Sequence, residues 1–161
     1  MPRDTCFTDA TTLAAEIRDG DRSPLTVIDE HIERIETHND DLTAYVTVLE
    51  ESARERARRI EEAIEAGECV GPLAGVPVAI KDLYAFKEGV RNTFGCKPLA
   101  DLRADRDATF VERIEDAGGI VLGKTNTPEL GHKGTTDNEI FGPTSTPFDL
   151  DRNAGGSSGG S

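Results

Sequence analysis

Aromatic residues are scarce in this sequence of 161 residues, which has no tryptophan, two tyrosines and six phenylalanines; the apolar share is 36%. Ring stacking can therefore add little to a core, which must be packed from Ile, Leu, Val and Ala. The three cysteines, Cys6, Cys69 and Cys96, are odd in number, widely spaced and without a CxxC pair. That pattern excludes a disulfide framework and a cysteine zinc site, so reduced thiols in a cytosol are expected. No apolar run approaches the roughly 20 residues needed to cross a bilayer. The opening residues, MPRDTCFTDATT, lack the apolar stretch of an export signal, and a cytoplasmic location is the expectation.

Positive charge is scarce as well. Lysine stands only at positions 81, 87, 97, 124 and 133, against 31 acidic residues, for a formal net charge of −13. A field of that sign repels polyanions, which argues against nucleic acid or an anionic membrane as a partner. An acidic, lysine-poor surface also suits a salt-loaded cytoplasm, where charges are screened over about 3 Å at molar salt. A halophilic surface is the expectation. The length fits one domain, or a piece of one, with a modest core.

The chain reads as helices first. A short amphipathic helix is expected over about 8–19, with Leu13, Ala14 and Ile17 inward and Gly20 at its C-cap. Ser23 as N-cap and Pro24 at the first helical position start a second, with Leu25, Ile28, Ile32 and Ile35 on one face. His31 and His38 lie on it seven residues apart with no third ligand at matching spacing, so both read as solvated rather than metal-binding. The run TAYVTVL, 43–49, is a strand or extended link. A third helix, 50–66, turns Ala53, Ala57, Ile60 and Ile64 inward and the charged run RERARRIEE outward.

The composition changes at Gly71, dividing a helical region, 1–70, from the start of an α/β core, 71–161. The run GPLAGVPVAI reads as a turn entering a buried strand, with Lys81 and Asp82 at its end. Asp107 is placed to cap a helix with Phe110, Val111, Ile114 and Ala117 inward, closed by Gly118 and Gly119. A second buried strand, IVLG, leads to Lys124, Thr125 and Asn126, and Thr127 and Pro128 open a short helical turn. Helix then strand, repeated, predicts α/β with a partly parallel sheet.

Ligands gather at the ends of strands in such sheets. A lysine there becomes a base only if its pKa falls well below about 10.4, through burial or a neighbouring cation. Lys81 is placed for that and Lys124 is its rival; emergence into solvent, or a pair with Asp82, is the plain alternative. The terminal GGSSGGS, read alone, fits a flexible linker. Its lead-in, with Phe141, Gly142, Pro143, Thr144, Pro147, Phe148 and Asp149 before Arg152, Asn153 and Ala154, has aromatic anchors and turns that a linker lacks. The glycines beside Ser157 and Ser158 let backbone and hydroxyls pass close to a reacting carbonyl.

Together GPLAGVPVAIKD, IVLGKTNTPELG and FGPTSTPFDLDRNAGGSSGGS, in that order, resemble the N-terminal part of the amidase signature family. The resemblance implies an α/β/α fold with a mixed central sheet and a Ser, cis-Ser, Lys triad hydrolysing carboxamide C–N bonds, without metal or cofactor. Lys81 matches the family's basic lysine and Ser157 the bridging serine held by a cis peptide. Neutral Lys81 would take a proton from Ser157, which would activate the nucleophilic serine. That serine and the glycine-rich oxyanion stretch follow this motif in the family; Ser161 does not match it, so the chain as given is expected to show no turnover. Gly131, beside Asn126 and Leu130, falls where a substrate-lining loop is implied. Thr144, Asp149 and Asn153 would order the loop before Ser157, and His132 and Lys133 would face solvent. The implied partner is a small-molecule amide; a homo-oligomer, or the partner subunits of a tRNA-dependent amidotransferase, stays open. So does a truncated, non-catalytic binding module. The block KTNTPELGHKGTTDN looks closer to general amidases than to the tRNA-dependent amidotransferases.

Overall fold

The computed structural model describes residues 5–160, so the first four residues and Ser161 lie outside the description. The elements in order are α1 (Ala10–Arg18), α2 (Pro24–Leu42), β1 (Tyr45–Val48), α3 (Glu50–Glu65), β2 (Pro77–Lys81), α4 (Thr109–Asp116), β3 (Ile120–Thr125), β4 (Ser145–Thr146) and β5 (Asp149–Asn153). Three strands form one sheet in the order β1-β3-β2. β1 runs antiparallel to β3, with Tyr45 opposite Thr125 and Val48 opposite Gly123. On the other side of β3, Ile120 N donates to Val76 O and Asp82 N to Thr125 O. Those pairs ascend together along both segments, as in a parallel ladder. The sheet is therefore mixed.

The chain divides into two compact units. The first comprises the described residues up to Ile35, then Leu49–Val78 and Arg113–Leu122. Its buried residues are almost all aliphatic: Leu13, Ala14, Ile17, Val27, Ile28, Ile32, Ala53, Ala57, Ile60, Ala74, Val76, Ile120, Val121 and Leu122. Local signals explain its helices. Asp9 caps α1, its carboxylate accepting from Thr12 N at 3.0 Å. Ser23 accepts from Thr26 N at 3.3 Å at the start of α2. Gly118, at φ +95°, admits no side chain, since a Cβ there would lie 2.3 Å from the Val70 carbonyl.

The second unit comprises Glu36–Val48, Ala79–Glu112 and the chain from Gly123 onward. Its interior is of another kind. Besides Ile80, Ala85 and Val111 it buries Asp82, Asn92, Thr93, Lys124, Thr125, Asn126, Thr127, Thr136, Asn138 and Thr144. Hydrogen bonds, each worth about 0.5–1.5 kcal/mol net, carry what apolar burial does elsewhere.

Several expectations need correction. His31 is half-buried, its Nδ1 2.8 Å from the Val27 carbonyl, whereas His38 is exposed. Val27 is buried where Leu25 and Ile35 are only half so, because α2 is covered along a narrower stripe than its apolar spacing implies. Asp107 faces Lys87 Nζ, 2.9 Å away, and the Glu88 N–H, so its carboxylate serves a loop contact. Phe110 is 49% exposed. β3 runs on to Thr125, which places Lys124 inside the strand. The segment 145–153 is a hairpin, with Phe148 96% exposed and no anchor; Phe141 instead lies under Arg91, 5.0 Å from guanidinium carbon to ring centre.

Candidate active site

Lys81 is the last residue of β2, where the strand leaves the sheet and turns; Leu83 N donates back to Lys81 O at 2.8 Å. Its Nζ donates to the main-chain carbonyl of Ser157. The amine is half-buried, and loss of solvent lowers its pKa below the ordinary lysine value. The peptide bond from Gly156 to Ser157 is cis. The two residues singled out in the sequence, 76 positions apart, thus meet at the strand end, through amine and carbonyl.

The Ser157 segment is held from both sides by small polar residues. On its N-terminal side, Asn153 Oδ1 accepts from Thr136 N and Gly155 N, both at 2.9 Å, while its Nδ2 donates to Thr136 O at 2.7 Å. Thr136 Oγ1 donates to Gly155 O at 2.6 Å. On its C-terminal side, Gly160 N donates to Asn126 O at 3.2 Å. Gly159, at φ +88°, must lack a side chain: a Cβ would fall 1.9 Å from Asn126 O and 3.5 Å from Lys81 Cε. Glycine is what lets the segment lie against both.

Asn126 uses its whole amide. Its Nδ2 donates to Thr144 Oγ1 (2.9 Å) and Gly142 O (3.2 Å), and its Oδ1 accepts from Thr127 N (2.9 Å) and Asn138 Nδ2 (2.7 Å). Those four bonds are all such a side chain can make. It is completely buried and braces the loop from within. Thr144 adds a bond to Thr43 O at 2.8 Å, so Thr144 and Asn153 do order the approach to Ser157. Asp149 is exposed and pairs with Arg152 at 2.9 Å within the hairpin. Gly131, on a single 3-10 turn (Glu129–Gly131) at φ +70°, lies against Leu83, whose Cδ2 is 2.9 Å from where a Cβ would stand. His132 and Lys133 are exposed.

Asp82 is turned away from Lys81. Its oxygens accept from Thr93 N, both at 3.1 Å, and from Thr93 Oγ1 at 2.5 Å, with Lys124 Nζ 3.8 Å away. Lys124 is wholly buried and donates to Ala85 O and Asn92 Oδ1. Burial pulls its pKa down to about 8, against the opposing pull of Asp82. This cluster, with Thr136 and Asn138, was missed by sequence reasoning, since each contact joins segments far apart in the chain. The one local signal is the Asx turn at Asn138, whose Oδ1 accepts from Ile140 N and Phe141 N. Among the described residues no group of three or more His, Cys, Asp or Glu is placed to hold a metal ion.

Comparison with known proteins follows the same lines. The chain is 45% identical over 149 residues to an acylamidase of Rhodococcus erythropolis, covering 92% of this chain and 31% of that protein. It is 44% identical over 152 residues to the first subunit of the glutamyl-tRNA(Gln) amidotransferase of Salinispora tropica, covering 94% of this chain and 31% of that one. The crystal structure of a bacterial aryl acylamidase of the amidase signature family superposes with a TM-score of 0.91 at 41% identity, covering 96% of this chain and 32% of the other. The chain thus spans about a third of the length of the relatives it matches. The family model described as Amidase matches residues 26–161, and with the mixed sheet and the Ser157 motif in place, the chain belongs to the amidase signature family.

Proposed function

We propose that this chain supplies the lysine and the bridging serine of an amidase that hydrolyses carboxamide C–N bonds. The contact between Lys81 Nζ and the main chain of Ser157 carries the reading. In it, Lys81 in its neutral form is the general base, Ser157 relays the proton, and a nucleophilic serine with its oxyanion donors comes from residues beyond this sequence. The partly desolvated amine supports it, because burial raises the share of the form able to accept a proton. So does the commitment of Asp82, the nearest carboxylate in sequence, to Thr93 and Lys124 rather than to Lys81. Gly131 is assigned to the substrate side of the same strand end.

The test is a chimera in which residues 1–161 replace the matching third of the Rhodococcus erythropolis acylamidase. It is expected to release product from an aryl amide, to lose at least about 100-fold in kcat/KM on Ser157→Ala, and the 161-residue chain alone to release none. A chimera that folds and turns over unchanged with Ser157→Ala contradicts the proposal. A second reading, the corresponding component of a tRNA-dependent amidotransferase, is favoured by the nearly equal identity to that protein. It requires partner subunits and glutamine as ammonia donor, and glutaminase activity in the chimera, in place of aryl amide hydrolysis, would select it.

A further inference from the structure

We infer that Lys124 is a positioning residue, which fixes the turn carrying Lys81 by tying three separate points of that turn and its loop to the interior of β3. The inference rests on the proposed role of Lys81 and adds a second lysine to it. Lys124 was a rival for the base on sequence grounds, but it is completely buried and its ammonium is taken up by Ala85 O, Asn92 Oδ1 and, at 3.8 Å, Asp82 Oδ1. No substrate reaches an amine so enclosed.

Its acceptors are distributed in a telling way. Asp82 is the next residue after Lys81, and its N–H is fixed to Thr125 O at 3.0 Å. Ala85 lies four residues past Lys81. Asn92, on the returning loop, passes the link on, its Nδ2 donating to Leu83 O at 2.8 Å. Residues 82, 83 and 85 are thus all gripped, directly or through Asn92, by one ammonium. A neutral apolar side chain would leave two buried acceptors and a buried carboxylate short of a donor. The charged groups of this cluster are Lys124 and Asp82, with Thr93 facing the carboxylate; at the other end of Lys81 stand the Ser157 carbonyl and Gly159.

The experiment measures the pH dependence of acetylation of Lys81 by acetic anhydride, read peptide by peptide by mass spectrometry, in the 161-residue chain. Lys124→Met is expected to free the turn and expose Lys81, moving its titration midpoint up to that of the exposed Lys97 and Lys133. Its acetylation near neutrality then falls about tenfold for each pH unit of that rise. Asn92→Ala, which removes one acceptor and leaves the buried ammonium in place, is the milder variant and moves Lys81 part of the way. A general loss of stability would lower the melting temperature and leave the midpoint of Lys81 in the folded chain where it was. An unchanged midpoint in either folded variant overturns the inference, as does unfolding of both, which would make the cluster a support for the whole unit. The outcome is independent of turnover: the proposed activity fails only through the Ser157 and Lys81 variants of the chimera.

Discussion

Lys124 also makes a thermodynamic prediction that needs no activity at all. Burial lowers its pKa from the ordinary 10.5 to about 8. At about 1.4 kcal/mol per pH unit, that is a cost of about 3 kcal/mol to the folded state wherever both states carry the proton. The sign follows from proton counting. Between pH 8 and 10.5 the unfolded chain holds a proton at this site that the folded chain has released, so stability rises with pH across that window. Below pH 8 the penalty is constant, and above 10.5 it is gone. Urea unfolding followed by circular dichroism at several values from about pH 7 to 10.5 measures it, with Lys124→Met as the reference that shares every other titrating group. With urea slopes of about 1–3 kcal/mol per molar, the difference between wild type and variant should shift by roughly 1–3 M in midpoint across the window. Parallel curves for the two proteins would refute the claim that a buried, strained ionisation resides at position 124.

Three further outcomes follow from the geometry. Gly159→Ala sets a Cβ against Asn126 O and forces a positive φ on an L residue; at about 1–2 kcal/mol for the backbone alone, the segment should lift away. Hydrogen exchange at Gly160 N should then quicken while the melting temperature stays within a few degrees, and retained protection would speak against the fit. Asn126→Asp turns two donors into acceptors facing Gly142 O and Thr144 Oγ1 and should cost about 1–3 kcal/mol in urea unfolding; a neutral substitution would mean the bonds are not made. Phe148→Ser, at a side chain 96% exposed, should change stability by no more than about 0.5 kcal/mol, and a larger loss would show that the ring is covered.

Much of the fold was legible because its signals are local. The Ser23–Pro24 start, the apolar stripe of α3 and the compact run ending at Lys81 each settle their element within a few residues, and the structure has each nearly where the pattern sets it. The mixed sheet follows from helices alternating with buried strands. What was not legible depends on partners distant in sequence. Asp107 looks like a helix cap until Lys87 is seen to claim it. Lys124 looks like an emerging strand-end lysine until Ala85, Asn92 and Asp82 close around it. Phe148 looks like an anchor, but a two-residue turn between β4 and β5 presents it outward. At the candidate site, glycine spacing and motif order led to Lys81 and Ser157. The asparagines and threonines that brace them sit in a stretch of mixed polar composition, where nothing short-range separates a buried amide from a solvated one.

The central claim is that the amine of Lys81 is the base in amide hydrolysis, and kcat/KM of the acylamidase chimera carrying Lys81→Met tests it most directly. With general base catalysis worth about 10²–10⁴-fold, the account predicts a loss of that size in a variant that still folds. A Lys81→Met chimera that hydrolyses the amide at the parent rate would contradict it.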